Sequence, residues 1–296
     1  MNTNGHEYKK RDLIDRFDRI LNKTLGEIDD LGIFEHVRQF NLQKGIAGTI
    51  IEQCVLRYPP DQEQRPDLVV IDGKDRIPTE LKTTGLRISD IGGRHFVAKE
   101  PMSITAVGVY DLADQTFYHS HFWRKIEHML IVYYHYLQDN AVTPAEYAMF
   151  PVKGYEFHEF SRDEIAALCR DWSFVQNLCA DIIRNHPGPR TNAWKDAVKQ
   201  DYIEQHGLLR KLLSYIELIP KFPPRFRLKK SIVDTIRGEE GSIIAEIRLD
   251  TKEGRKMYHL PTNEDQAVSI LNQIIIMNEV PDLTEWQDIT DSVFGK

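Results

Sequence analysis

The stretch that most restricts what this chain can fold into is Pro66 to Thr84, PDLVVIDGKDRIPTELKTT. Pro66-Asp67 leads into the apolar run Leu68-Val69-Val70-Ile71, which breaks at Asp72-Gly73-Lys74 and resumes as a second extended run holding Glu80, Leu81 and Lys82. Side chains alternate along a strand, so Glu80 and Lys82 share one face while Leu81 points into the opposite, buried face. Asp67, at the mouth of the neighbouring strand, then meets Glu80 across the pair.

Two carboxylates beside a lysine suit one kind of chemistry. Magnesium takes oxygen ligands, is held by one or two carboxylates and keeps several waters of its own. A nearby ammonium orients the attacking water and balances phosphate charge. That is metal-assisted phosphodiester hydrolysis, and Pro66-Asp67 with Glu80-Leu81-Lys82 resembles the PD-(D/E)xK nuclease superfamily. With 28% charged residues a chain shows Asp…Glu-x-Lys by accident, so the weight falls on what flanks it.

Composition narrows the classes. A chain of 296 residues fits one large domain, or one plus an appendage, and buries a substantial core. The longest apolar run, Met129 to Tyr134, is too short to span a bilayer. The start, MNTNGHEYKKRD, lacks the apolar core of a signal peptide, so a cytoplasmic location is expected. Cys54, Cys169 and Cys179 are too scattered for a disulfide framework or a zinc knuckle. A net charge of −7 argues against a general nucleic-acid coat but leaves room for a local basic cluster.

Upstream, Lys10 to Phe40 reads as helices, with Leu13, Phe17, Ile20 and Leu21 at helical spacing and Thr24 with Glu27 as a capping box. In the next helix Ile46, Ile50, Ile51 and Val55 mark one face, and Gly45, Gly48 and Glu52 mark another. Glycines beside an acidic residue let a backbone or ligand approach closely.

In order along the chain, Lys44-Gly45-x-x-Gly48-x-x-x-Glu52 followed by Asp67…Glu80-x-Lys82 resembles the MutH family, which joins a mismatch-repair strand-nicking endonuclease to type II restriction endonucleases cutting at GATC. Thr24-Leu25-Gly26-Glu27 is similar to that family's TLGE segment. The resemblance implies a metal-site glutamate at Glu52 and a lysine at the helix start at Lys44. The gap from Asp67 to Glu80 is longer than in the MutH branch, which fits an extra hairpin around Gly73.

Further segments extend the resemblance. Glu100, after the Gly92-Gly93-Arg94 turn, is similar to an acidic family residue near DNA. Ser103 to Tyr110 reads as a buried strand. His121 to His128 reads as a helix leading into a strand from Met129 to Tyr134. Its Phe122-Trp123-Arg124-Lys125 is similar to the restriction-enzyme branch and implies a phosphate contact for Lys125. Trp123 reads as core, and His119, His121 and His128, with no carboxylate or cysteine framework among them, as surface or hydrogen-bonded histidines. Ser161 to Asn185 is an amphipathic helix capped by Ser161 and Glu164, with Ile165, Leu168, Trp172, Val175 and Leu178 as its apolar stripe.

The His186 to Asn192 loop lies where the family carries base-reading elements. Arg190 and Asn192 are candidates there, since Arg and Asn read guanine and adenine edges. Lys221 to Ser231 resembles the family's aromatic-x-Leu-Lys-Lys segment at the DNA groove, making Arg225, Arg227, Lys229 and Lys230 candidate DNA contacts; the alternative is a solvated basic turn with anchoring aromatics. Arg227 stands where the family often has an aromatic. Beyond residue 238, Ile243 to Leu260 reads as a hairpin, Asp265 to Met277 as a helix, and Asp282 to Asp291 as an acidic tail.

The expected fold is an α/β restriction-endonuclease-like core, with a central mixed sheet flanked by helices. Its domains are 1–238 for the endonuclease and 239–296 for a C-terminal extension of hairpin plus helix. The expected activity is that of a type II restriction endonuclease. It uses Mg2+ to hydrolyse double-stranded DNA at a short palindrome, with GATC as the family expectation, and acts as a homodimer away from membranes. Asp67, Glu80, the Leu81 carbonyl and Glu52 would hold metal, Lys82 would position water, and Lys44 and Lys125 would hold phosphates. The alternatives are a repair nickase activated by a MutL-like partner and a non-catalytic DNA-binding module.

Overall fold

Strand β1 (His6–Lys9) lies parallel to β2 (Leu68–Asp72), which turns into the antiparallel β3 (Asp75–Ser89). Asp72 pairs with Asp75 around Gly73-Lys74, and Gly73 takes φ +64°, the left-handed conformation that such a two-residue turn needs. The hairpin expected around Gly73 is therefore present. The computed structural model describes residues 6–40, 45–58, 65–89, 95–138, 142–188, 191–218, 225–237, 245–251, 254–260, 269–270 and 272–274.

Strand β3 changes partners along its length. Residues 75–79 pair with β2, residues 80–86 run parallel to β6 (Met129–His135), and residues 86–89 pair with β4 (His95–Ala98). Antiparallel β7 (Val152–His158) follows β6, giving the order β1-β2-β3-β6-β7 with β4 on β3. Alternate residues of β3 turn their backbone groups to opposite edges: the Glu80 amide donates to His128 of the β6 side, whereas the Gly85 carbonyl accepts from Lys99 beside β4. Between β2 and β4 that second edge of β3 is a fork. The fork places the site.

A core covers each face of the sheet. On one side lie α1 (Lys10–Asp18), α2 (Leu25–Ile28), α3 (Ile33–Phe40), α4 (Ile46–Ile50) and α7 (Pro144–Ala148), packing Leu13, Phe17, Ile50 and Phe150 against Leu68, Val70 and Leu81. On the other lie α6 (His121–Ile126), α8 (Arg162–Asn185) and α9 (Asn192–Leu212). A small sheet joins them there: β5 (Met102–Ala106), β9 (Arg225–Leu228) and β8 (Ile216–Leu218), in that order. The chain is thus a mixed α/β fold with a central mixed sheet flanked by helices.

Local chemistry explains several element boundaries. Thr24, Thr143 and Ser161 each head a complete capping box, with Glu27, Glu146 and Glu164 returning to the cap backbone. Along α8 the expected stripe is present: Leu168, Trp172 and Val175 are buried, and Ile165 and Leu178 pack partly buried against that core. Gly26 is needed for contact, since a Cβ there would sit 3.0 Å from the Ala148 carbonyl oxygen. Trp123 is core, as read.

Two expectations need correction. The strand read over Ser103 to Tyr110 stops at Ala106; Val109 and Tyr110 begin α5 (Val109–Ala113), whose turn follows Gly108. The single helix read through Glu52 and Val55 is α-helical only to Ile50 and widens into a π-helical turn over Ile51–Leu56. Of Lys221 to Ser231, residues 221–224 lie outside the described residues. Arg225 to Leu228 form β9, with Phe226 and Leu228 buried, and α10 (Lys230–Arg237) follows.

The C-terminal hairpin is β10 (Ala245–Thr251) with β11 (Gly254–Leu260). Tyr258 is buried in the first core with Ile270 and Ile274 and bridges to Gln138. Residues 269–270 and 272–274 are helical; the rest of the expected helix and the acidic tail lie outside the described residues.

Candidate active site

Asp67 stands one residue before β2, and the register that sets Leu68 opposite Thr79 sets Asp67 beside Glu80. Its Oδ2 accepts a hydrogen bond from the Leu81 amide at 2.9 Å. A strand residue turns its N–H and C=O to the same edge, so the Leu81 carbonyl also points into the fork where Asp67 stands. Leu68 and Leu81 belong to the first core. By alternation, Asp67, Glu80 and Lys82 look towards the other face, where α6 packs.

Glu80 is 1% exposed. A buried carboxylate needs compensation, and here two ammonium groups supply it. Lys82 Nζ donates to Oε1 at 2.5 Å, and Lys125 Nζ, from α6, donates to Oε1 at 2.8 Å and Oε2 at 2.9 Å. Ser120 aims α6 by accepting from the Trp123 amide, while Phe122, Trp123 and Ile126 bury its inner side. Burial, and then the Glu80 charge, push the Asp67 carboxyl above its ordinary range; Lys82, the Leu81 amide and Lys125 oppose that rise. Two carboxylates and two ammonium groups therefore share one half-buried corner.

That corner suits a hard divalent cation of the magnesium type, which needs only one or two carboxylates and supplies the rest of its shell from water. Among the described residues no three acidic, histidine or cysteine side chains gather in a metal-binding group. Glu52 does not form such a group with Asp67 and Glu80. It sits in the π-helical turn, one turn beyond Gly48, whose position faces Thr83 Oγ1 at 3.7 Å on the first-core side of β3. Lys44 lies outside the described residues.

The candidate DNA contacts fall in several places. Arg225 is exposed on β9. Arg227 is half-buried and pairs with Glu217 at 3.2 Å, and Lys229 turns its ammonium onto the Leu213 carbonyl. Lys230 opens α10, partly buried, with Arg87, Lys99, Asp234 and Glu100 close enough to influence its charge; burial, first, and then Arg87 lower its pKa. Glu100 itself is exposed. Asn192 is exposed at the start of α9, and Arg190 lies outside the described residues. His119, His121 and His128 are bound to Thr116, Arg124 and Glu159 respectively.

Sequence reasoning missed two features. The direct grip of Lys125 on Glu80 joins residues 45 positions apart, and only the β3–β6 pairing reveals it. The gathering of Arg87 and Lys99 beside Lys230 needs β4 on β3 and α10 on β4. No local motif signals either.

Comparison with known proteins agrees with the geometry. Residues 56–167 match the family model described as DNA mismatch repair enzyme MutH. That span holds Asp67, Glu80, Lys82, Glu100 and Lys125, whereas Glu52 and the β9–α10 basic segment lie outside it. No curated protein matches the chain. Over residues 56–167, which hold the paired carboxylates of the forked sheet and their lysines, the chain is similar to the MutH family of DNA mismatch repair enzymes.

Proposed function

We propose that this protein is a type II restriction endonuclease that hydrolyses both strands of duplex DNA at a short palindromic site, GATC-like in the family expectation, with Mg2+. The observation that carries the reading is Asp67, Glu80, Lys82 and Lys125 converging at the fork of the sheet. Asp67, Glu80 and the Leu81 carbonyl would hold the ion. When bound, it supplies Lewis-acid stabilisation of charge on the phosphate and a more acidic water. Lys82, fixed by Glu80, would orient that water for in-line attack. Lys125 would donate to a phosphate oxygen. Glu52 would assist metal binding and Lys44 would hold a phosphate, as the family resemblance implies.

The Phe122-Trp123-Arg124-Lys125 segment and the C-terminal hairpin favour the restriction branch. One active site per chain implies a homodimer for cutting both strands. Arg225, Arg227, Lys229 and Lys230 on β9 and α10 would line the groove, with Glu100 at its edge and Arg190 and Asn192 as base readers. Among the described residues no helix is long and apolar enough to cross a membrane; action in the cytoplasm goes with a DNA substrate. The family description favours a second reading, a mismatch-repair nickase activated by a MutL-like partner.

Plasmid cleavage by the pure protein separates the two. Linear product with matched double-strand ends, formed without any partner, is expected for the restriction enzyme. Open-circular product alone, increased by a MutL-type protein, identifies the nickase. Sequencing the ends from a digested genome then reads the site.

A further inference from the structure

The four charged groups at the fork already balance. Ionised Asp67 and Glu80 carry two negative charges, and Lys82 and Lys125 carry two positive charges. Lys125 spans both oxygens of Glu80 at 2.8 and 2.9 Å, and Lys82 shares Oε1. A divalent ion entering this corner would add two uncompensated charges where Glu80 is 1% exposed. It would also compete with three hydrogen bonds to the one carboxylate both lysines use. The Lys125 and Lys82 side chains are each 17% exposed, against 2% for that of Glu80.

We infer that Lys125 is a positioning residue that guards Glu80 against metal until DNA arrives, then passes from the carboxylate to a backbone phosphate. The inference rests on the endonuclease reading for its DNA arm only. Lys82 cannot take this part without abandoning the strand neighbour that fixes it, whereas Lys125 comes from a separate element, α6. A phosphate brings one negative charge to the corner and gives Lys125 a second anionic partner. Release of Lys125 then exposes Glu80 to the ion. Metal and DNA would therefore load together, and by linkage each would raise the affinity for the other by the same factor.

Isothermal titration of the full chain with Ca2+, with and without a short duplex, tests this. In the free protein Lys125→Met is expected to bind Ca2+ about fivefold or more tightly than wild type. Lys125→Arg, which keeps a cation on Glu80, is expected to stay close to wild type. With duplex, wild type should gain Ca2+ affinity while Lys125→Met gains little, so the coupling shrinks. A folded Lys125→Met protein that binds Ca2+ no more tightly than wild type overturns the inference, as does an equal gain with and without DNA. If Lys125→Met does not fold, Lys125→Gln, which can still donate to Glu80 but carries no charge, is read by the same criteria. The titration without DNA decides the guarding role even if wild type never cuts DNA, so the two failures are distinguishable.

Discussion

Asp67→Ala, Glu80→Ala and Lys82→Ala are each expected to lower DNA cutting by at least about a thousandfold while leaving duplex affinity within about threefold. The reason is the division of labour at the fork. Asp67 is held by the Leu81 amide, and Glu80 by Lys82 and Lys125. None of the three needs to touch the groove to do its work. Duplex affinity comes from phosphate contacts spread over a wide surface, so losing one charge in a half-buried corner changes it little. Asp67→Asn and Glu80→Gln, which keep the shape, should be as inactive as the alanine variants. Cleavage rates in Mg2+ alongside gel-shift affinities measured in EDTA check the separation; wild-type-like cutting by any one variant contradicts the site.

The second large effect is on stability. Asp171, 6% exposed on the inner side of α8, accepts hydrogen bonds from the amides of Ser214, Tyr215 and Ile216. It pins the start of β8, against which β9 carries Arg225 and Arg227. The Lys229 ammonium on the Leu213 carbonyl holds the same corner. Asp171→Ala would strand these amides in a partly buried place and is expected to cost about 3 kcal/mol, or roughly 6–10 °C in melting temperature. Asp171→Asn, which keeps one acceptor oxygen, should lose less. A melting temperature within about 2 °C of wild type for Asp171→Ala would remove Asp171 from this role. Because β8 and β9 are held through Asp171, the same variant should weaken duplex binding even at temperatures where it stays folded.

Much of this was legible from short-range chemistry. The turn at Gly73, the capping boxes at Thr24 and Ser161, the apolar stripe of α8 and the strand from Met129 all follow from patterns spanning a few residues, and all are in the structure. Alternation along Glu80-Leu81-Lys82 was enough to place the carboxylate and ammonium on one face, because strand period leaves no other choice. The over-reading of Ser103 to Tyr110 came from apolar content alone; Gly108 breaks the strand, and Asp111 lies in the first turn of the helix that follows. Arg225 to Leu228 read as a basic segment, yet its alternate residues Phe226 and Leu228 are buried, a period-two signal hidden among the charges.

What stayed out of reach depends on long-range placement. Nothing local announces that Lys125 reaches Glu80, or that Gly48 of α4 stands over Thr83, on the face of β3 opposite Glu80. Asp171 was better signalled than it looked. It falls three residues after buried Leu168 and next to buried Trp172, on the inner side of an otherwise apolar helix face. A carboxylate there must find donors, and it finds them in β8.

The central claim is that two carboxylates and a lysine at the fork of the sheet cut DNA with a divalent ion. Incubation of supercoiled plasmid with purified wild-type protein, with Mg2+ and with excess EDTA, tests it most directly. The account predicts discrete cut products with Mg2+ and intact supercoiled plasmid with EDTA. Undiminished cutting in EDTA, or intact plasmid with both Mg2+ and Mn2+, would contradict it.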